Sequence, residues 1–549
     1  MKGHAVLAAV LAEHGVSTLF GVMGDGNMFF VDSFIRDQHG EYVAAANEAG
    51  AALMAAGYAA GSGRVGVATV THGPGLANTV ATLVSAARER RPIVLITGDT
   101  GAENRSNAQN IDQASLVAPT GAGFEQVTSA RSIPDDLARA LRRADAEQRP
   151  IVLNVPADFA FAEIDHQPGT SPREAVRQAL APDPAALDGA VGLIASARRP
   201  IILAGVGVLR SGAQASLREL ADLLGAPVMT TLPVRGLFGN YEHDLGVFGT
   251  LSTPWAVDAI LAADCVIAVG ASLNPYTGGG DGWPYLEGKR VVHCDIDPSG
   301  LGTHFTPDAA VLADAGGFAD TVVSWLREAE YTGTGFRDSL RRAAEVEVEV
   351  EAESELELEP ASGNPGFVDL GTALTELNRR LPRERTLTVD GGRFTDEVIR
   401  RVEVHRPRSW TTTFGGFGAI GNGLATAIGM GCADRSRPAV ALVGDGSFML
   451  GGLAEFSTAV RHRVDLIVVV CNDGCYGAEY RKLAARDFGV EHSLFDWPDF
   501  APVADALGGV GCTVRGLGDL ANAEKVVNER DRPVLIDVRL DPASVHWGH

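Results

Sequence analysis

The segments Gly444-Asp445-Gly446-Ser447 and Asn472-Asp473-Gly474-Cys475-Tyr476-Gly477 each place a carboxylate in a glycine-bearing turn directly after an apolar run. Two such carboxylates with one loop carbonyl form a hard oxygen set suited to Mg2+ or Ca2+. The backbone N–H groups of Gly446 and Ser447, close to a helix N-terminus, suit phosphate oxygens. Residues 439–443 and 466–471 read as buried strands, and residues 453–460 as the helix that joins them. In a parallel sheet that connection brings the carboxyl ends of both strands to one edge, so Asp445 and Asp473 converge. The pattern predicts a bound diphosphate and a divalent cation.

These residues resemble the thiamine-diphosphate signature, Gly-Asp-Gly followed by Asn-Asn or Asn-Asp, and the likeness continues in family order along the chain. Glu48, in Asn47-Glu48-Ala49-Gly50-Ala51-Ala52, is similar to the cofactor-activating glutamate of acetolactate synthases, benzoylformate decarboxylases and benzaldehyde lyases. Thr71-His72-Gly73-Pro74-Gly75-Leu76-Ala77-Asn78 resembles their Gly-Pro-Gly turn. The stretch from Thr413 to Leu424 resembles the loop that grips the aminopyrimidine ring.

The resemblance implies a role for each matching residue. Glu48 would hydrogen-bond the pyrimidine ring and promote loss of the thiazolium C2 proton, after which the cofactor serves as an electron sink. Taken alone, a carboxylate there is also an ordinary helix-cap residue. Ile420 would support the bent cofactor, Gly418 would offer its carbonyl to the amino group, and Gly391-Gly392 would allow close approach to the diphosphate. Gly444, Asp445, Gly446, Ser447, Asp473, Tyr476 and Gly477 complete the cofactor site. Asp445, Asp473 and the Cys475 carbonyl would hold the metal, with Asp473 standing where a second asparagine is commoner and Asn472 supporting the turn.

His72 and Gln109 are the polar candidates for substrate contact. His72 replaces a small hydroxyl residue of the resembled families. Gln109, in Ala108-Gln109-Asn110-Ile111-Asp112-Gln113, matches a loop glutamine facing the reactive carbon. Asp25, in Gly24-Asp25-Gly26-Asn27, stands where some relatives carry a histidine. Residues after Tyr476, including Glu479, Tyr480 and Arg481, are candidates for a substrate wall or a solvated helix face.

At 549 residues the chain exceeds one core. Three doubly wound parallel α/β domains are expected: a pyrimidine-binding domain over 1–165, a central domain over 183–330 and a diphosphate-binding domain over 366–549, with an acidic linker over 331–365. Residues 345–359 alternate Glu with small or apolar residues and read as an exposed helix or tether. In the central domain Gly205-Val206-Gly207 follows a strand, a weak dinucleotide signal. Ala271-Ser272-Leu273-Asn274-Pro275 replaces the Arg- and Asp-rich segment of flavin-binding relatives, which argues against FAD.

The net charge of −23 disfavours nucleic acid and anionic membrane partners. No apolar run approaches about 18 residues, and the six cysteines form no Cys-x-x-Cys pair, so a cytoplasmic protein with buried thiols is expected. The expected activity is carbon–carbon bond cleavage and formation on a 2-oxo acid or aldehyde, foremost decarboxylation with carboligation. An aldehyde lyase or cyclic-diketone hydrolase is the alternative within the family, and a cofactor-binding protein without catalysis the alternative outside it. The resemblance further implies a homodimer or homotetramer.

Overall fold

The computed structural model describes residues 1–541 except 102–103, 105, 168, 170–177 and 341–365. The charged stretch 345–359 lies outside the described residues. Among the described residues, three six-stranded sheets carry the fold, and the strand pairs with assigned register are all parallel. Near-continuous runs of Val, Ile, Leu and Ala form their central strands, as expected for sheets covered by helices on both faces.

The first sheet runs in the order β2-β1-β3-β4-β6-β5, with β1 Thr18–Gly21, β2 Glu41–Ala44, β3 Gly66–Val70, β4 Ile93–Asp99, β5 Gly123–Gln126 and β6 Ile151–Pro156. The third runs β14-β13-β15-β16-β18-β17, with β13 Thr386–Val389, β14 Trp410–Thr412, β15 Ala439–Gly444, β16 Leu466–Asn472, β17 Val510–Val514 and β18 Val534–Arg539. Met1–Ala175, Ser362–Val402 and Thr411–His549 form one compact unit, which therefore holds most of both sheets.

Within this unit the helices Glu48–Ser62 and Gly423–Ala433 share an apolar core containing Met54, Ala55, Leu424 and Ile428. Their backbones nearly touch. A Cβ on Gly57 would lie 2.1 Å from the Thr426 carbonyl oxygen, and one on Gly429 would lie 2.0 Å from that of Met54. Only glycine permits an approach this close.

The other unit, Val176–Ala361 with Glu403–Trp410, contains the second sheet, ordered β12-β11-β10-β7-β8-β9. Its strands are β7 Pro200–Ala204, β8 Val228–Thr230, β9 Asp244–Val247, β10 Cys265–Val269, β11 Arg290–Asp295 and β12 Ala309–Leu312. The Gly205-Val206-Gly207 turn has a packing explanation here. The Gly207 N–H donates to the Gly270 carbonyl at 3.1 Å, and a Cβ on Gly205 would fall 2.0 Å from that oxygen. No described helix is long and apolar enough to cross a membrane.

Candidate functional site

Strands β13, β15 and β16 are adjacent and parallel, so their carboxyl ends deliver Asp390, Asp445 and Asp473 to one sheet edge. Asp390 is wholly buried and organises the loop beside it. Its Oδ1 accepts from Gly391 N–H and Thr413 Oγ1, each at 2.8 Å; its Oδ2 accepts from Gly421 N–H at 2.9 Å and Gly423 N–H at 3.0 Å. Burial pushes its carboxyl above the usual range, against the opposing pull of these hydrogen bonds.

Gly391 lies under the loop, where a Cβ would meet Phe414 Cβ at 3.0 Å and Ile420 Cγ2 at 3.4 Å. Ser447 Oγ donates to the Gly391 carbonyl at 3.5 Å. Gly392 packs against Phe394, whose ring also approaches Gly444. Gly418, at φ +71, belongs to the same loop.

After β15, Asp445–Ser447 form a single helical turn, Phe448–Gly452 form a π-turn, and Leu453–Arg461 continue as α-helix. The joining helix is therefore preceded by a bulge that the sequence reading did not anticipate. A Cβ on Gly451 would sit 2.2 Å from the Gly421 carbonyl oxygen, so the π-turn and the Ile420 loop are in backbone contact.

Asp445 is 2% exposed, and its Oδ2 is buried without a hydrogen-bond partner. Burial first, and the Asp473 charge second, push its carboxyl up to about 7, while the Gly446 and Gly474 N–H groups act in the opposite direction. An orphaned carboxylate oxygen beside a second carboxylate fits a divalent cation. Asp473 Oδ1 accepts from Cys475 N–H at 3.1 Å and lies 3.2 Å from Cys475 Sγ; its Oδ2 accepts from Arg393 Nε at 2.6 Å. Asn472 donates its amide to Asp537 at 2.9 Å, a turn-supporting role. Tyr476 covers Gly446, where a Cβ would lie 2.5 Å from the ring, and a Cβ on Gly477 would lie 2.3 Å from Arg393 Cδ. Among the described residues no three His, Cys, Asp or Glu side chains cluster as a metal site, so the candidate set is two carboxylates completed by a carbonyl and phosphate oxygens.

The first sheet presents a second group. The buried His72 follows β3, and neither ring nitrogen has a hydrogen-bond partner. Burial lowers its pKa, opposed by the charges of Asp99 and Asp25. Glycine is required beside it: a Cβ on Gly26 would lie 2.8 Å from His72 Nδ1, and one on Gly73 would lie 2.2 Å from the Gln109 carbonyl oxygen. His72, Asp25 and Gln109 are thus brought together, with Gln113 holding the turn by accepting from Gly73 N–H at 2.8 Å.

Glu48 begins its helix just after β2, with Asn47 as the capping residue. Glu48 Oε2 accepts from Asn78 Nδ2 at 3.0 Å. The turn before it is held by the third sheet's helix: Glu455 accepts from Ala46 and Asn47 N–H at 3.1 Å, and His462 Nε2 accepts from Ala44 N–H at 3.0 Å. Glu455, Asp390 and Arg393 are the buried charged residues beside the site that sequence reasoning missed. The Gly391-Gly392 pair pointed to the neighbourhood of the last two.

Models of the thiamine pyrophosphate enzymes match the chain in three places: the N-terminal TPP binding domain at residues 1–116, the central domain at 187–322 and the C-terminal TPP binding domain at 390–538. The chain is 28% identical to an acetolactate synthase of Arthrospira platensis over 98% of its length and 94% of that protein. It is 27% identical to a probable acetolactate synthase large subunit of Methanocaldococcus jannaschii, over 99% of its own length and 93% of the other. An acetolactate synthase of Mycobacterium bovis is 28% identical, covering 100% of this chain and 89% of the relative.

Proposed function

The chain belongs to the thiamine pyrophosphate enzyme family, with thiamine-diphosphate-dependent decarboxylation and carboligation as its chemistry, and on that premise we propose that its donor is a 2-oxo acid whose acyl carbon is passed to a second carbonyl compound. The observation that carries the cofactor in this reading is the orphaned Asp445 Oδ2 beside Asp473 at the edge where β15 and β16 end, and the donor rests on the likeness to acetolactate synthases. Asp445, Asp473 and the Cys475 carbonyl would hold Mg2+, and the Ser447 N–H, together with the Gly446 N–H that also serves the Asp445 carboxylate, would hold diphosphate oxygens. Bound thiamine diphosphate supplies an electron sink for the charge left when a carboxylate departs. Ile420 and the loop from Gly415 to Gly421, fixed by Asp390, orient the cofactor's rings. Glu48 holds and moves a proton at the pyrimidine nitrogen, and His72 and Gln109 face the substrate. His72, neutral near pH 7, is able to accept a proton there.

The active form is a homodimer or a higher assembly in which Glu48 serves a second chain's cofactor. Two observations support this. Glu48 lies beside the Glu455 end of the helical segment that starts at Asp445, ten residues or about 15 Å along helical structure. Leu450, beside Gly421, and Phe417, whose ring has the Arg88 guanidinium 4.9 Å from its centroid, are 64% and 45% exposed, apolar surface that a second copy would cover.

A panel of 2-oxo acids, assayed for carbon dioxide release with and without aldehyde acceptors, tests the reaction. Release with at least one acid, and a ligated product when acceptor is added, is expected. Cleavage of a 2-hydroxy ketone or cyclic diketone with no carbon dioxide from any acid would move the assignment to a lyase or hydrolase.

A further inference from the structure

We propose that Arg393 is a positioning residue that denies the bound cation one oxygen of Asp473 and so biases the site toward Mg2+ over Ca2+. The inference rests on the metal-dependent cofactor reading and adds a residue to it. Arg393 and Asp473 form a nearly dry ion pair, with side chains 2% and 9% exposed and Nε 2.6 Å from Oδ2. The guanidinium is held in place on its other sides. Its stem fills the space that a side chain at Gly477 would need, and its Cζ lies 6.0 Å from the Tyr480 ring centroid.

Two consequences follow from this geometry. Asp473 is left with Oδ1, already accepting from Cys475 N–H, as the oxygen that can turn to a cation beside Asp445. A carboxylate restricted in this way acts as a one-oxygen ligand, as an amide would. Ca2+ takes six to eight oxygens and profits from bidentate carboxylates, whereas Mg2+ demands a compact octahedron and uses one oxygen per ligand. The second consequence concerns charge. Asp445 and Asp473 would bring two negative charges to a buried edge, and Arg393 cancels one of them. Removing one partner of such a pair leaves an uncompensated buried charge, whereas replacing both with neutral groups is tolerated.

The test is a double-mutant cycle on full-length protein saturated with thiamine diphosphate, using Mg2+ and Ca2+ as titrants. Binding is read from intrinsic tryptophan fluorescence and by calorimetry. Trp497 is a suitable reporter because it stacks on Phe495, which packs edge-on against Tyr476. Arg393→Gln should shift the ratio of the two dissociation constants about tenfold toward Ca2+ as Oδ2 is released. Asp473→Asn alone should weaken both cations about tenfold, because the guanidinium then loses the carboxylate that offsets its charge beside the metal. The double variant should return to within about threefold of wild type.

A ratio unchanged in Arg393→Gln, or strictly additive effects in the double variant, overturns the proposal. Should Arg393→Gln not fold, the comparison of Asp473→Asn with the double variant decides: recovery of Mg2+ binding supports the role, and no recovery overturns it. Cation-independent cofactor binding by the wild-type protein would instead sink the underlying reading of the site.

Discussion

The Glu455 carboxylate accepts the Asn47 backbone N–H at 3.1 Å, so a residue from the helix after Asp445 fixes the residue that caps the helix of Glu48. Glu455 is wholly buried and also accepts from Thr458 Oγ1 at 2.8 Å. The third sheet thereby sets the position of the proposed proton-handling carboxylate on the first.

Glu455→Ala would leave the Ala46 and Asn47 N–H groups without their acceptor, at a cost of about 3 kcal/mol. Calorimetric unfolding should show the loss. Proton exchange at thiazolium C2, followed by NMR after acid quench, should slow while cofactor affinity holds, because the diphosphate end of the site is untouched. Unchanged exchange would show that this clamp does not position Glu48.

The strands and turns that carry Asp445 and Asp473 were legible because their signals are local: an apolar run, then Gly-Asp-Gly or Asn-Asp-Gly. β15 and β16 each extend one residue beyond the expected end, a boundary effect. The π-turn at Phe448–Gly452 was not legible, because Gly451-Gly452 reads as a break before the helix that begins at 453, and the backbone it crosses, at Gly421, is remote in sequence. Buried charges are hidden for another reason, since their partners are remote. Glu455 meets Asn47 across 408 positions and Arg393 meets Asp473 across 80, so no local pattern announces either pair.

Asp445→Asn should weaken thiamine-diphosphate binding in the presence of Mg2+ about a hundredfold, since a charged oxygen ligand is lost from the cation. Calorimetric titration with Mg2+ and again with chelator checks it. Wild-type affinity in the variant, or in the wild-type protein with chelator, would contradict the metal assignment.

His72 confers a dependence of stability on pH whose sign is set by its burial. Its folded pKa lies below the ordinary 6.5, with Asp25 and Asp99 facing it and opposing the shift. The contribution is therefore present above pH 6.5 and is lost as pH falls through the folded value. His72→Gln should flatten part of the decline in Tm below pH 6.5. His293 and His462, also lowered by burial, remain in both proteins and cancel in the comparison. Parallel Tm curves for the two proteins would remove His72 from this account.

The proposed sharing of the site between chains has its own test, because the two halves can be inactivated separately. Glu48→Gln should fold and bind cofactor with Mg2+, while C2 proton exchange slows by about two to four orders of magnitude as the proton relay is lost. Asp445→Ala should retain Glu48 but lose the cofactor. If Glu48 of one chain completes the site built by Asp445, Asp473 and Ile420 of another, a mixed dimer contains one site with both intact residues and one with neither. Mixing the two inactive proteins under conditions that exchange subunits should then restore activity, up to about half of wild type per mixed dimer. Glu48→Gln mixed with itself controls for refolding artefacts and should stay inactive. An active monomer by light scattering at assay concentration, or no rescue in verified mixed dimers, would refute the shared site and require Glu48 to reach its own chain's cofactor past the Glu455 clamp.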